Sequence, residues 1–553
     1  MVFARRSTTL LAAIIASCAM VLSLTACTSD NKTVVDGQTT VTSNSAGGVA
    51  VFTPSDGITL NQQTPLNKWA KLVPDLAKAL ADAGFKKGDI NHTTSDSLDK
   101  QSRAIQDFVV DHLSNNTTDD SGIAIAPDNM TLLVAPVVEA DASTRQYGDY
   151  VSQNLSTNDV TDEGATSDGE SSEDDSSKDD SSKDDSSKDD SSNTESDSTA
   201  SDEQAQAVDR LVSSLKLAKE SGMHVVLLGN SIEGYKPDAF VKFSDAQTIG
   251  KLQAEKMVSK LKLDKASKDN PKYIEVLLPY TAMDEKGNAN DSTFAQEAFR
   301  GIWQVLGSYY QKGVVESPSG TLDGKSTEND WQAVAYDAAK EGSTAKVLDK
   351  RLAKTDGQST LTRIDGIITM NDYIASEVVK ELDDLGYTGS AADINPQITI
   401  SGIVGNITGK KDLSRDAVPD PIKSPENDNA NDSSSSDDDA DEDTSASDKD
   451  RDSQWPLVTG YGAYVSNIPS IVNGKQWMTG MEDRQTIATD IAQACAKLNK
   501  DEALNSMPST RNSEVGGVKK IPTISEPLLA VSASNLKSAL IDPGYISLAD
   551  AGL

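Results

Sequence analysis

The sequence predicts an α/β protein of two doubly wound lobes, each a parallel sheet with helices on both faces. Three observations lead there. Short apolar, β-branched runs alternate with amphipathic helical stretches along most of the chain, the pattern of parallel strands joined by helical crossovers. The runs are too many for one comfortable sheet, and they fall into two groups. Two acidic low-complexity blocks interrupt the alternation without adding to it, as loops inserted at a surface would.

The clearest single unit runs from Asp365 to Gly389. Ile367, Ile368, Thr369 and Met370 read as a buried strand that stops at two polar residues, Asn371 and Asp372. Ile374, Val378, Leu382 and Leu385 then share one helical face. Asp372 can cap the first turn, and Gly386 stands where a left-handed C-cap is wanted. Ligands of open α/β sheets bind outside the carboxyl ends of the strands, where Asn371 and Asp372 stand. The alternative is that both residues only cap the helix.

The other elements follow in chain order. Arg5 and Arg6 precede an apolar run over 10–24, closed by Leu24-Thr25-Ala26-Cys27. A basic start, an apolar stretch short for a membrane span and small residues before a cysteine make residues 1–27 a secretory signal with a lipobox. Cys27 is then the lipidated first residue of the mature protein, which places the body outside the cytoplasm, anchored to the outer face of the cell membrane. Cys18 leaves with the signal and Cys495 remains alone, so no intramolecular disulfide framework exists. Residues 28–48, rich in Ser, Thr, Asn and Gly, read as a flexible tether.

Strands are expected at 49–53, 123–127, 225–229, 273–278, 313–316, 367–370, 398–402, 457–460 and 528–532. Helices are expected at 72–83, 100–113, 204–221, 249–261 and 486–498. Grouping them gives a first lobe of 49–150, 206–245 and 481–515, and a second lobe of 246–423, 454–480 and 516–553. The acidic inserts, 151–205 and 424–453, have almost no apolar side chains to bury and are expected to be disordered.

The charge supports this division. The 553 residues carry a net charge of −35. A block at 161–203 with a DDSSK repeat holds about −14 of it and a block at 424–452 about −10, which leaves the remainder mildly acidic. Such a surface lacks the basic stripe that nucleic acid requires. The repeat also lacks the Gly turn around which well-formed Ca²⁺ loops fix their carboxylates.

Catalytic groups are hard to find. His92, His112 and His224 are scattered with no metal-ligand spacing, and there is no phosphate-binding loop, GxSxG elbow or HExxH. Cys495 lies on the apolar face of a helix and reads as a small buried hydrophobe. The chain is therefore read as a non-enzyme with no cofactor and no metal. Binding is better supported. Trp69, Trp331, Trp455 and Trp477 are most of the tryptophans in an aromatic-poor chain, and each sits beside a loop or an element boundary. Amphipathic rings near Asn, Asp, Lys and Gln suit a ligand with apolar faces and a hydroxyl rim, such as a sugar; ordinary core packing is the alternative for any one of them. Asn67-Lys68-Trp69 and Gly229-Asn230-Ser231 stand at strand carboxyl ends, as Asn371 does.

With its elements in this order, the sequence resembles the sugar-binding lipoproteins and periplasmic proteins of ABC transporters with the type I solute-binding fold, above all the xylose-binding group. NKWAKLVPDLAKAL looks like the family's first helix, SLDKQSRAIQDFV its second, and IAIAPDN the strand and turn that follow. HVVLLGNSI and FVKFSDAQTIGKLQAEKMV resemble a ligand strand and the crossing into the second lobe. TMNDYIASEVVKEL matches the strand, Asn-Asp and helix, and TGYGAYVSNIPSIVNGKQWMTGMEDRQTIATDIAQAC the last ligand strand, hinge and return helix.

The resemblance implies two lobes with a ligand cleft between them, joined by three crossings near 241–249, near 401–406 or a later equivalent, and near 476–480. It implies ligand contacts at Lys68, where an arginine is usual, and at Trp69, Asn230 and Asn371, with Asp372 beside it, and a ring stacked on the sugar from Trp331. Departures mark the pocket. The family's late aspartate falls at Gly462, an asparagine falls at Phe294, and Glu482 replaces a basic residue. Phe294 and Tyr461 are expected as new walls for something larger or more apolar. The implied function is that of a monomeric, lipid-anchored solute-binding protein that closes on a sugar, small-molecule cargo for an ABC permease and its ATPase. The alternative is a surface receptor or envelope protein of the same fold that no longer serves sugar uptake.

Overall fold

The computed structural model describes residues 34–35, 38–39, 46–56, 65–115, 125–138, 146–151, 153–156, 194–283, 290–353, 361–392 and 454–553. The signal, Cys27, the strand expected at 398–402, the crossing expected at 401–406 and most of both acidic blocks lie outside the described residues. Within residues 1–44, Val34–Val35 pairs antiparallel with Gln38–Thr39. Everything below concerns the unit Ser45–Leu553.

The first lobe opens with β1 (Gly48–Pro54), α1 (Trp69–Asp82), β2 (Ile90–Ser95), α2 (Leu98–Asn115), β3 (Met130–Val134), α3 (Thr194–Glu220), β4 (His224–Leu228) and β5 (Ala239–Lys242). The second lobe holds α4 (Ala246–Leu261), β6 (Lys272–Val276), α5 (Thr293–Gln311), β7 (Val315–Glu316), α6 (Ser343–Arg351), β8 (Gly366–Ile368), α7 (Asp372–Leu385), β9 (Leu457–Tyr461) and β10 (Met478–Met481). The chain returns through α8 (Arg484–Leu498) and a hairpin of β11 (Thr510–Val515) and β12 (Val518–Ser525), then ends beside the second lobe with β13 (Leu529–Ser532).

The first sheet has seven strands in the order β11-β12-β5-β4-β3-β1-β2, and the second has six in the order β7-β6-β8-β9-β10-β13. All neighbours are parallel except β11 with β12 and β10 with β13. Successive strand residues point to opposite faces, so a central strand buried on both sides feeds two cores. Val49 and Val51 of β1 pack with Leu72 of α1 and Ile491 of α8. Ala50 and Phe52 of the same strand pack with Ile105 of α2 and Leu211 of α3. In the second lobe Ile367 and Ile368 of β8 join one core with Ile249, Phe299 and Val378 from α4, α5 and α7.

Three segments connect the lobes: 243–245 between β5 and α4, 482–483 between β10 and α8, and 526–528 between β12 and β13. At the first, Asp245 caps α4 reciprocally with Thr248, which fixes where the helix starts.

Four expectations are corrected. The strand placed at 123–127 is β3 at Met130–Val134, because five consecutive buried residues, not a brief alternation, mark a strand covered on both faces. The lobe boundary at 515/516 falls inside the hairpin of the first sheet; β12 pairs with β5, so the crossing comes after Ser525. The expected insert at 151–205 is narrower than its bounds. Val151 is buried, Asn154–Leu155 pairs with Ser231–Ile232, and α3 begins at Thr194. The crossing expected over 476–480 is mostly strand β10, and the chain leaves the second sheet only at Glu482.

Candidate ligand cleft

The strands of the two sheets end where the lobes meet. In the second lobe β8 is followed by Met370, held at φ 69°, and by Asn371 at the start of α7. Asn371, not Asp372, is the cap: its Oδ1 accepts from Ile374 N at 2.9 Å. At the other end Gly386 takes the left-handed conformation, φ 93°. The free half of the Asn371 amide points across the cleft and donates from Nδ2 to Gln146 Oε1 of the first lobe at 3.1 Å.

Asp372 turns the other way. Its carboxylate is fully buried and accepts from Tyr464 N at 2.9 Å, Thr479 Oγ1 at 2.8 Å and Gln476 Nε2 at 2.7 Å, all in the second lobe. Burial pushes it up to about 6 despite those donors. Gly460 is the residue that lets it in, since a Cβ there would lie 2.2 Å from Asp372 Oδ1.

Tyr461, the last residue of β9, is completely buried at the crossings. Its hydroxyl shares a hydrogen bond with Ser244 Oγ at 2.6 Å, receives Asn67 Nδ2 at 3.2 Å and donates to Glu482 Oε1 at 3.3 Å. Glu482 Oε1 also accepts from Ser244 N, and Glu482 N donates to Asn67 Oδ1. Residues from two crossings and from the loop before α1 thus form one buried polar network. Burial pushes Glu482 up to about 7. Next door, Gly462 has φ 113°, and a Cβ there would press on the Tyr464 ring at 2.9 Å and on Pro65 of the first lobe at 3.3 Å. The position where the resemblance implies an aspartate therefore has no room for a side chain.

The first-lobe contacts gather around residues 146–150 and Gln153. Lys68 Nζ pairs with Asp149 Oδ1 at 2.9 Å, and Trp69 N donates to Asp149 Oδ2 at 3.1 Å. The Trp69 ring, 2% exposed, sits edge-on to Tyr150 and Phe243 with centroids at 5.0 and 5.8 Å. It is a packed ring, not an open plate. Asn230 Oδ1 accepts from Gln153 N at 3.0 Å while its Nδ2 donates to Pro136 O at 2.9 Å. The Tyr147 ring lies beside Phe294 and Tyr461, with ring centroids 4.7 and 6.4 Å apart.

Lys68, Trp69, Asn230, Phe294, Asn371 and Tyr461 are thus brought to one place, and Asp372 adjoins it from behind. Trp331 is placed elsewhere. Its ring is edge-on to Tyr280 at 5.1 Å, and with Tyr280, Asp337 and Lys340 it lines a cavity of about 580 Å³ on the second lobe. Trp455 and Trp477 are core residues of the second lobe. Cys495 is fully buried, and burial pushes its thiol up. The residues that sequence reasoning missed are Gln146, Tyr147 and Tyr150. Two tyrosines around a glycine in an aromatic-poor chain were the available signal.

Among the described residues no group of three or more His, Cys, Asp or Glu side chains could hold a metal ion. Among them, too, no helix is long and apolar enough to cross a membrane.

No protein-family model matches the sequence. No curated protein matches it either. Solved structures do. An ABC transporter solute-binding protein from Clostridium phytofermentans with bound β-D-glucose is 16% identical, with 91% of this chain and 99% of that chain covered and a TM-score of 0.44. A carbohydrate transporter solute-binding protein from Chloroflexus aurantiacus in complex with D-glucose is 17% identical, with 92% and 98% covered and a TM-score of 0.42. A periplasmic ribose ABC transporter protein from Conexibacter woesei is 12% identical, with 90% and 96% covered and a TM-score of 0.42.

Proposed function

We propose that the chain is an extracytoplasmic solute-binding protein, held at the membrane by a lipid on Cys27, that closes its lobes on a sugar and delivers it to an ABC permease. The observation that carries this reading is the convergence at the lobe junction. Asn371, Lys68 and Asn230 supply fixed polar heads, Phe294 and Tyr461 supply rings, and three short crossings are the chain's links between the lobes. Closure around a polyol removes water from each hydroxyl, so each needs a fixed partner beside an apolar face. The lipid would keep the closed form next to its permease by raising its local concentration.

A second reading, a surface receptor of this fold that does not serve uptake, is favoured by one observation. The side chain that would accept sugar hydroxyls at position 462 is absent, and Pro65 and Tyr464 fill its space.

A thermal-shift screen of the mature chain against mono- and oligosaccharides, amino acids and nucleosides tests both. A ligand at 100 times its Kd adds about 2.7 kcal/mol of stability. A sugar hit lost in Lys68→Ala and in Asn371→Ser supports uptake through this cleft. A screen with no sugar hit, or a hit indifferent to both substitutions, overturns it and leaves the receptor reading.

A further inference from the structure

Asn371, Lys68 and the rings of Phe294 and Tyr461 are already engaged by one short stretch of the protein itself. Gln146 offers its side-chain Oε1 to Asn371 Nδ2 and its backbone O to the Tyr464 hydroxyl at 2.6 Å. Tyr147 belongs to the first lobe by sequence, yet it is 1% exposed within the second lobe's apolar core. Gly148 has φ 101°, and a Cβ there would lie 2.6 Å from the Asn67 Cβ, so only glycine lets the stretch lie this close to the loop before α1. Asp149 N donates to Asn67 O at 2.8 Å, and its carboxylate holds both Lys68 Nζ and Trp69 N. The Tyr150 hydroxyl donates to Lys68 O while its ring stacks on Phe243 at 4.9 Å.

We infer that residues 146–150 are a built-in occupant of the cleft, a ligand supplied in cis that holds the lobes together when no solute is bound. The chemistry matches what a soluble ligand would have to offer. It has an amide for Asn371, a carboxylate for Lys68 and the Trp69 N–H, and a flat ring beside Phe294 and Tyr461. Because the occupant is tethered to the first lobe, its effective concentration at the second is that of a short intramolecular link, in the millimolar range. A solute that needs the same cleft binds with an apparent affinity reduced by the fraction of molecules in which the occupant is out. The inference rests on the two-lobe cleft of the proposed function but not on the identity of its solute.

The test is the distance between the lobes in the absence of any solute. Lys100 on α2 and Lys340 on the second lobe have exposed side chains, 66% and 82%, and serve as Lys100→Cys and Lys340→Cys positions for spin labels; Cys495 is buried, and Cys18→Ser and Cys27→Ser remove the other thiols. Pulsed dipolar spectroscopy on the full chain in detergent is expected to give one narrow, short distance for the parent. The Gln146→Ala, Tyr147→Ala double variant is expected to shift to longer and broader distances. Gln146→Ala alone removes only a half-buried side chain and carries the test if the double variant does not fold; it too is expected to broaden the distribution. A distribution unchanged from the parent in the folded variants overturns the inference. Lobes that part in the variants while no sugar binds sustain the built-in occupant and remove the sugar reading, so the two fail separately.

Discussion

Asn371 and Gln146 are bonded amide to amide across the cleft: Asn371 Oδ1 caps α7 within the second lobe, and its Nδ2 donates to Gln146 Oε1 in the first at 3.1 Å. One side chain thus ties helix formation in one lobe to contact with the other. Asn371→Ala loses both roles and is expected to lower stability by about 1–3 kcal/mol, the sum of a lost N-cap and a lost buried hydrogen bond. Asn371→Ser keeps a capping oxygen but is too short to reach Gln146, so it is expected to recover roughly the capping part, about 1 kcal/mol. Denaturant unfolding of the three proteins checks this. If Ser is no better than Ala, the cap is not what Asn371 supplies.

Glu482 and Asp372 give the body a definite response to pH. Burial raises Glu482 from 4.5 to about 7 and Asp372 from 3.8 to about 6. A carboxyl raised in the folded state keeps its proton where the unfolded chain has released it. These two groups therefore favour folding most at low pH, and that advantage is lost as pH rises through about 6 and 7. Partly exposed Asp56 and Glu526, each raised to about 7, act in the same direction with a smaller weight. For Glu482 the effect is on the order of 3 kcal/mol at pH 8. Glu482→Gln keeps an acceptor for Ser244 N without the charge, so its stability is expected to fall less between pH 5 and 8 and to exceed the parent's at pH 8. Parallel pH profiles for the two proteins would show that the proton on Glu482 is irrelevant.

The contrast between β1 and β2 shows where legibility stops. Buried strands such as β1 and β9, and the helix from Asp372 to Gly386, read clearly because burial on both faces imposes apolar runs and one-sided packing imposes a stripe. β2, INHTTS, is an edge strand with four exposed residues in a row, so it carries no apolar signal at all. The β11–β12 hairpin was also passed over, although Gly516-Gly517, with φ 55° and 78°, is the turn chemistry a two-residue hairpin needs. In the site, Asn371 and Lys68 are legible as polar residues that follow strand ends, which topology gathers, whereas Tyr461 is suggested only by the family resemblance. The engagement of residues 146–150 could not, because a coil segment that packs across a cleft has no periodicity to betray its partner. Trp331 is the converse case: a tryptophan beside a loop is visible in sequence, but which cavity it lines is not.

Gly462 separates a restored residue from a restored function. Placing an aspartate there meets φ 113° and the Tyr464 ring at 2.9 Å. Gly462→Asp is therefore expected to cost about 1–3 kcal/mol of stability. The nearest atoms it meets belong to Tyr464 and to Pro65, so sugar binding is not expected to improve. Unfolding and a sugar thermal-shift assay on this variant check both halves; a Gly462→Asp protein as stable as the parent would mean that the loop after β9 rearranges freely.

Asp372 is expected to behave as a support for the cleft and not as a contact in it. Its two oxygens accept from Tyr464 N, Gln476 Nε2 and Thr479 Oγ1, and its backbone O accepts from Asn467 Nδ2 at 2.7 Å, which together fix the loop after β9 against α7. Asp372→Ala leaves buried donors without acceptors, each worth about 1–3 kcal/mol, so a loss of roughly 3 kcal/mol or more is expected. Asp372→Asn keeps the volume and one acceptor but turns an N–H toward a donor, and an intermediate loss is expected. A ligand contact would show the opposite balance, with stability nearly unchanged and solute affinity lost. Unfolding free energies and solute affinities measured on the folded fraction of both variants decide between the two: a stable Asp372→Ala protein with weakened binding would move Asp372 back into the cleft.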